Sequence, residues 1–207
     1  MNRALLPVRE GHTRAPEPRH PFELLDHVEL RHVMIATGLI SMSWDLQTFV
    51  IPVRGKQVGL SASQIGLILG SFSAATFTIR LAMPQLSRRF TEWQVLIFTL
   101  FSASIAFALF PFFSTLAPLM AVAFFLGLGL GAAQPNIMSL VHSRSPEGRV
   151  GEALGLRSTI ISSSQVVLPL VFGAFGSVLG TGAMFWSLAA MVGVGGVAAV
   201  KWRKYEK

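Results

Sequence analysis

The chain of 207 residues contains no cysteine and little charge: Asp and Glu total 10, and all charged residues make up 13%. Without cysteine there is no disulfide framework and no thiolate metal site, and the redox compartment cannot be read. A typical soluble domain carries about 25% charged residues, so this chain is too poor in charge to cover a water-facing globular surface. Histidine is also scarce, at 5, and beyond the leader and its junction only His142 remains, at the end of an apolar stretch. That inventory assembles neither a nucleophile with its base nor a cluster of metal ligands, which argues against an enzyme, a metal site or a resident cofactor. The first 32 residues lack a signal-peptide apolar core, so the first apolar stretch is expected to act as its own insertion signal.

What is abundant is apolar. Hydrophobic residues reach 52% and the mean hydropathy is +0.57. Long apolar stretches cover 33–53, 62–83, 93–113, 116–141, 152–179 and 182–201, each close to the 20 or so residues a helix needs to cross a bilayer. A helix satisfies its own backbone in lipid. The reading is therefore an all-α membrane protein, with a polar linker over 1–32 and six transmembrane helices over 33–207.

The formal charge of +7 raises nucleic acid as a partner, but the basic residues lie in loops and tails rather than on one continuous face. Membrane orientation explains them better, because short loops rich in Lys and Arg stay cytoplasmic. Arg31, Arg88, Arg89, Arg144, Arg149, Lys201, Arg203, Lys204 and Lys207 all fall on one side, and Arg54 and Lys56 on the other. The turns near Ser114 and Gly180 carry no charge. Both termini are expected in the cytoplasm, in an inner (plasma) membrane. Trp93, Trp186 and Trp202 fall at span boundaries, as an aromatic belt requires, whereas Trp44 lies inside the first span.

Residues 1–20, rich in Pro, Arg and Glu, read as a flexible linker. Pro21 then stands where a helix can begin, and Leu24, Leu25 and Val28 form an apolar edge beside Glu23, Asp26 and Glu29. A short interfacial amphipathic helix is expected there.

The spans differ in polarity. The third contains only hydroxyls, such as Thr99, Ser102 and Ser104, and the sixth only Ser187, so both are expected to face lipid. The first carries Ser41, Asp45 and Thr48 at helical spacing, continued by Pro52, and the fifth repeats the stripe with Ser158, Ser162, Gln165 and Pro169. Asp45 stands out, since a charge at mid-membrane costs roughly 3 kcal/mol even on the lenient insertion scale. It is either a protonatable or substrate-contacting carboxylate on a water-filled path, or an acid hydrogen-bonded to its neighbours to hold helices together. Arg80, towards the cytoplasmic end of the second span, suits snorkelling better than a substrate role, and Arg157, about a turn inside the fifth, can either snorkel or point into a cytoplasm-facing cavity. The run GLGLGAAQPN in the fourth combines Gly127, Gly129 and Gly131 with Gln134, Pro135 and Asn136. Such glycines permit close helix contact, and the amides beside the proline can repair the break or bond a solute.

Three segments carry a family resemblance: FVIPVRGKQVGLSASQIGLILGSF at the first turn, RLAMPQLSRRF after the second span, and GAAQPNIMSLVHSRSPEGRVGEALGLRS joining the fourth and fifth. With them, nearly the whole chain resembles helices seven to twelve, the C-terminal half, of a major facilitator superfamily transporter. The resemblance implies two inverted three-helix repeats, with solute bound near the midplane between two such halves. It makes Trp44, Asp45, Gln47, Gln134, Asn136, Arg157 and Gln165 the cavity candidates and Asp45 the candidate for proton coupling. Arg80, Arg88, Arg89 and Arg149 form the cytoplasmic gating set. The family's loop of Gly, Asp and Gly-Arg-Arg is altered here, with Arg80 near the Gly, Pro84 near the Asp and Ser87 before Arg88 and Arg89. The implied function is secondary active transport of a small solute through the lipid bilayer. A half cannot alternate alone, so a homodimer or a separate N-terminal half is expected as partner. The alternatives are a truncated half or a non-transporting membrane scaffold or assembly subunit.

Overall fold

The computed structural model describes the backbone of residues 21–205 and the side chains of 23–167, 170, 171 and 180–203. The leader to His20, the side chains of Pro169 and Lys204, and Lys207 lie outside the described residues. The chain folds into α1 (Val28–Gln57), α2 (Ala62–Leu86), α3 (Glu92–Leu109), α4 (Leu116–Arg144) and a long run, α5 (Val150–Tyr205). Gly180, at φ 79° and ψ 163°, breaks that run into two helices, a first arm over 150–179 and a second over 181–205. Only glycine adopts such a backbone freely, which is why the uncharged turn expected near this residue falls on it. The result is six α-helices and no strand among the described residues. By length and composition, α1, α2, Glu92–Phe112, α4 and Gly180–Arg203 can each cross a membrane.

Local chemistry sets the helix starts. Ser61 and Thr91 open α2 and α3 with reciprocal capping boxes, each accepting from the backbone N–H of a glutamine three residues on, Gln64 and Gln94. Each glutamine's Oε1 in turn accepts from the capping residue's backbone N–H, satisfying donors that a helix otherwise leaves orphaned. Ahead of α1, Pro21–Asp26 is a 3₁₀ helix rather than an amphipathic α-helix. Its Leu24 is fully buried while Val28 stays exposed, so the expected apolar edge is split between the bundle and the surface.

The bundle is held by glycine and hydroxyl contacts between helices. A side chain at Gly131 would bring its Cβ to 2.9 Å from the Thr76 Cα, and one at Gly127 would strike the Phe72 carbonyl, so α4 presses directly on the α2 backbone. Gly129 faces Ser102 of α3 in the same way. Hydroxyls donate across these seams: Thr99 Oγ1 to the Gly129 carbonyl at 2.9 Å, Ser71 Oγ to that of Met120 at 2.8 Å, and Ser104 Oγ to that of Ala189 at 2.7 Å. In α3 the hydroxyls thus face neighbouring helices, and only its apolar side, with Phe98 and Ile105, is open to lipid. The expectation of a lipid-facing third span holds for half its circumference. Phe107, Phe110 and Phe185 fill the core at one end, with Phe110 stacked on Phe185 at 5.2 Å between ring centres.

The two ends of the bundle differ. At one, Arg54 Nη2 donates to the carbonyls of Pro111 (2.8 Å) and Phe113 (3.2 Å), and Thr181 donates to Gln57 Oε1. At the other, His32 stacks on Trp202 at 4.4 Å, bringing the two described ends of the chain together. Arg144 pairs there with Glu29 at 2.6 Å, and Arg149 with Glu152 at 2.6 Å and Glu23 at 3.8 Å. Both Arg149 Nε and Nη2 donate to Glu152 Oε2, a bond that holds the guanidinium above its already high ordinary pKa.

Candidate functional site

The polar side chains singled out from sequence fall into two groups. In α1, Asp45 and Gln47 are two residues apart, about 200° around a helix of 3.6 residues per turn. They therefore cannot share a face: Asp45 is half-buried at the edge of the bundle, while Gln47 is buried inside it with Oε1 unpartnered. The same spacing separates Gln134 from Asn136 in α4. Asn136 is buried and donates through Nδ2 to the Ala132 carbonyl of its own helix at 2.6 Å, whereas Gln134 lies at the edge. Gln47 and Asn136 thus belong to the interior.

The other candidates come together on the face swept by the first arm of α5. Gln165 Nε2 donates to Asp45 Oδ1 at 3.4 Å, linking that arm to α1. Arg157 Nη2 donates to Gln134 Oε1 at 2.9 Å, linking it to α4. Eight residues separate Arg157 from Gln165, roughly 12 Å along the arm at 1.5 Å per residue. Each charged group keeps a buried atom without a protein partner, Asp45 Oδ2 and Arg157 Nε. A buried, unmatched charge is costly, and bonding capacity left open on an acid and a base is what a polar solute can take up. Thr48, a turn beyond Asp45, is exposed and donates to the Asp45 carbonyl at 2.6 Å, whereas Ser41, a turn before it, is buried. The first span's polar stripe therefore crosses from the interior to the open face.

Trp44 of α1 borders the same face on the side next to α2. It packs edge-on against Phe72 at 5.3 Å and lies beneath the Arg80 guanidinium, 6.0 Å from carbon Cζ to the ring centre. Together with Ser73, Thr76 and Phe77 these residues line a cavity of about 250 Å³. Arg80 is exposed and turned towards Trp44. Counting outward from the turn between α1 and α2 gives the reason: Trp44 and Phe72 lie at similar depth, so Arg80, two turns past Phe72, reaches back over the indole. The sequence spacing contained this pairing, but neither residue's type signalled it. Arg88, Arg89 and Arg149 stand at the end of the bundle that carries His32 and Trp202, away from this face; Arg149 is committed to Glu152 and Glu23.

The surrounding surface is open. On α2, Gly66, Gly70, Ala74 and Thr78 form an exposed ridge at four-residue spacing, and on the first arm Gly151, Gly155, Thr159 and Ser163 form another. A Cβ built at Gly66, Gly70, Gly151 or Gly155 meets nothing within 4 Å. These glycines differ from those of α4, whose space is already filled.

No curated protein matches the chain. The family model described as Major Facilitator Superfamily matches residues 33–207, which is all six helices but for the first turn of α1. Together with a bundle of long apolar helices, that match makes this chain a member of the major facilitator superfamily of membrane transporters.

Proposed function

We propose that the chain is one six-helix half, equivalent to the C-terminal half of such a transporter, and that it moves a small solute by secondary active transport once a second six-helix unit closes over its open face. The second unit is another copy of this chain or a separate partner half. The observation that carries the reading is the pair of bridges on that face, Gln165 to Asp45 and Arg157 to Gln134, each leaving a charged atom unmatched. Solute sites in these proteins lie at the midplane between halves, and the small-residue ridges flanking the bridges are the surfaces helices use for close approach in lipid. In this reading Trp44, Asp45, Gln134, Arg157 and Gln165 face the solute, and Asp45 carries the coupling proton. Arg80, Arg88, Arg89 and Arg149 belong to the cytoplasmic gate. Residues 1–32 are a cytoplasmic linker ahead of the bundle, and both termini lie on the cytoplasmic side of the inner membrane.

The test is reconstitution of the full chain in vesicles containing a pH-sensitive dye, challenged with pools of small solutes. A solute-elicited pH change that disappears in Asp45→Asn is the expected result. Transport by Asp45→Asn with its full proton dependence rules out the coupling role. Detergent-corrected light scattering supplies the second arm: a stable dimer, or a monomer that becomes active only with a partner half, is expected. An active monomer overturns the need for a second half.

A further inference from the structure

At the end of the bundle that carries the ion pairs, two adjoining cavities form one amphipathic site. The upper one, about 300 Å³, is lined by Arg88, Arg89 and Phe90 at the corner between α2 and α3, with Asn136 of α4 behind them. The lower one, about 480 Å³, is lined by Leu86, Phe90, Val95, Phe98 and Leu128, with Ala132 at its floor. Phe90 belongs to both, and Asn136, Ala132 and Leu128 follow at four-residue steps down α4. The groove therefore runs roughly 12 Å from the corner into the membrane, at 1.5 Å per residue. It exists because α2 and α3 each pack on α4 and make scarcely any contact with one another.

From this arrangement we infer that the crevice between α2 and α3 is a binding site for an anionic phospholipid, with its phosphate at Arg88 and Arg89 and an acyl chain along Phe90, Phe98 and Leu128. Charge decides the headgroup. Arg144 and Arg149, at the same end, are paired with Glu29, Glu23 and Glu152. Among the described residues neither Arg88 nor Arg89 has a carboxylate partner, and both are exposed. Glu92 also lines the upper cavity, but its carboxylate accepts from Ser139 Oγ at 3.1 Å, and two cations face that one acid. Arginine presents a planar fork that matches phosphate oxygens. The apolar groove decides between a lipid and a free anion, since Phe90 and Phe98 offer inorganic phosphate no contact but pack against a hydrocarbon chain. The corner is also rigid: the Arg89 and Phe90 N–H groups both donate to the Leu86 carbonyl at 2.9 Å.

Native mass spectrometry of the full chain, released from detergent with matched dioleoyl lipids, tests the site independently of transport. Phosphatidylglycerol is expected to be retained in preference to zwitterionic phosphatidylcholine. Arg88→Gln with Arg89→Gln should reduce its retention by roughly tenfold or more, the scale of two basic residues at an anionic surface. Both positions are exposed, so the variant should remain monodisperse. Lys201→Gln with Arg203→Gln removes the same charge elsewhere at that end and is expected to leave the preference intact. Dihexanoyl phosphatidylglycerol, with the same headgroup and short chains, should bind more weakly than the dioleoyl lipid. The site is overturned by equal retention of the two headgroups, by an equal loss in the control variant, or by equal binding of the short-chain lipid. Displacement of the lipid by millimolar inorganic phosphate would instead make it a free-anion site and overturn the lipid assignment.

Discussion

Gln165 of the first arm of α5 and Asp45 of α1 meet across 120 residues of sequence, with the amide Nε2 donating to the carboxylate Oδ1 at 3.4 Å. The bond is long for its type, and it engages only one carboxylate oxygen. A contact whose purpose was to hold two helices together would be expected to satisfy both oxygens, because an unmatched buried one costs more than a single weak bond returns. The arrangement instead keeps the acid poised at the edge of the open face.

Replacement of Asp45 by Asn should therefore leave the fold intact. The amide keeps the shape and one acceptor for Gln165 while removing a charge that costs roughly 3 kcal/mol at mid-membrane on the insertion scale. The variant is expected to melt no lower than the native chain in detergent. A double-mutant cycle of Asp45→Ala with Gln165→Ala, each of which removes the bond, should give a coupling below about 1 kcal/mol, as the long bond implies. A large loss of stability in Asp45→Asn alone, read by thermal melting, would make this residue a structural tie.

Glycines in this chain divide into filled and open sites, and substitutions should separate them. Gly131→Val would force its side chain into Ile79 and the Thr76 backbone. It is expected to cost about 1–3 kcal/mol, as overpacking typically does. Gly66→Ala meets nothing within 4 Å and should be neutral or slightly stabilising, since alanine favours a helix over glycine by up to about 1 kcal/mol. Gly66→Leu tests the partner face as well: melting of the isolated chain should hold, while self-association in light scattering should weaken.

Much of this architecture was legible in the sequence because lipid restricts backbone so severely. The break at Gly180 falls where an uncharged turn is expected, whereas the helices ending at Gln57, Leu86 and Arg144 run three or four residues past the apolar stretches that end at 53, 83 and 141. Rotation about each helix axis was harder. Gln47 and Asn136 look like cavity residues by type, yet each is two positions from a true edge residue, Asp45 or Gln134, and so points to the opposite side. The 100° step could have sorted each pair, but the absolute orientation came only from packing. The hydroxyls of α3 turn inward for a related reason: Thr99 donates to the Gly129 carbonyl of α4, and Ser102, bonded within its own helix to the Thr99 carbonyl, fits the space that Gly129 leaves, a complementarity between helices that neither displays alone. Arg80 over Trp44 likewise depends on the relative depth of two spans.

The ion pairs around Arg149 should be unequal. Glu152 receives two N–H donors from it, at 2.8 and 2.6 Å, while Glu23 lies at 3.8 Å. Glu23→Gln is expected to leave melting nearly unchanged, whereas Arg149→Lys should lower it, because a single ammonium cannot reproduce the side-on fork. Arg149's pKa is raised in the folded chain. A raised base contributes stability below its unfolded value and loses it only as pH climbs through the folded one. Its contribution is therefore constant through the neutral range, and the difference between Arg149→Lys and the native chain should be the same at mildly acid and mildly alkaline pH.

Orientation in the membrane is the most direct consequence of charge placement, and the absence of native cysteine makes it measurable. Lys56 and Glu147 are both exposed and lie at opposite ends of the bundle, one beside Arg54 and the other between Arg144 and Arg149. Single variants Lys56→Cys and Glu147→Cys give one reactive thiol each. Short loops rich in Arg resist translocation, so a membrane-impermeant maleimide should label Lys56→Cys in intact cells and Glu147→Cys only after permeabilisation. Because His32 stacks on Trp202, the two described chain ends lie on the Glu147 side whichever way the protein inserts. Labelling of Glu147→Cys from outside would reverse the assignment for both ends at once. It would also place Arg88 and Arg89 away from the anionic inner leaflet, so the topology measurement bears on the lipid site as well as on the direction of transport.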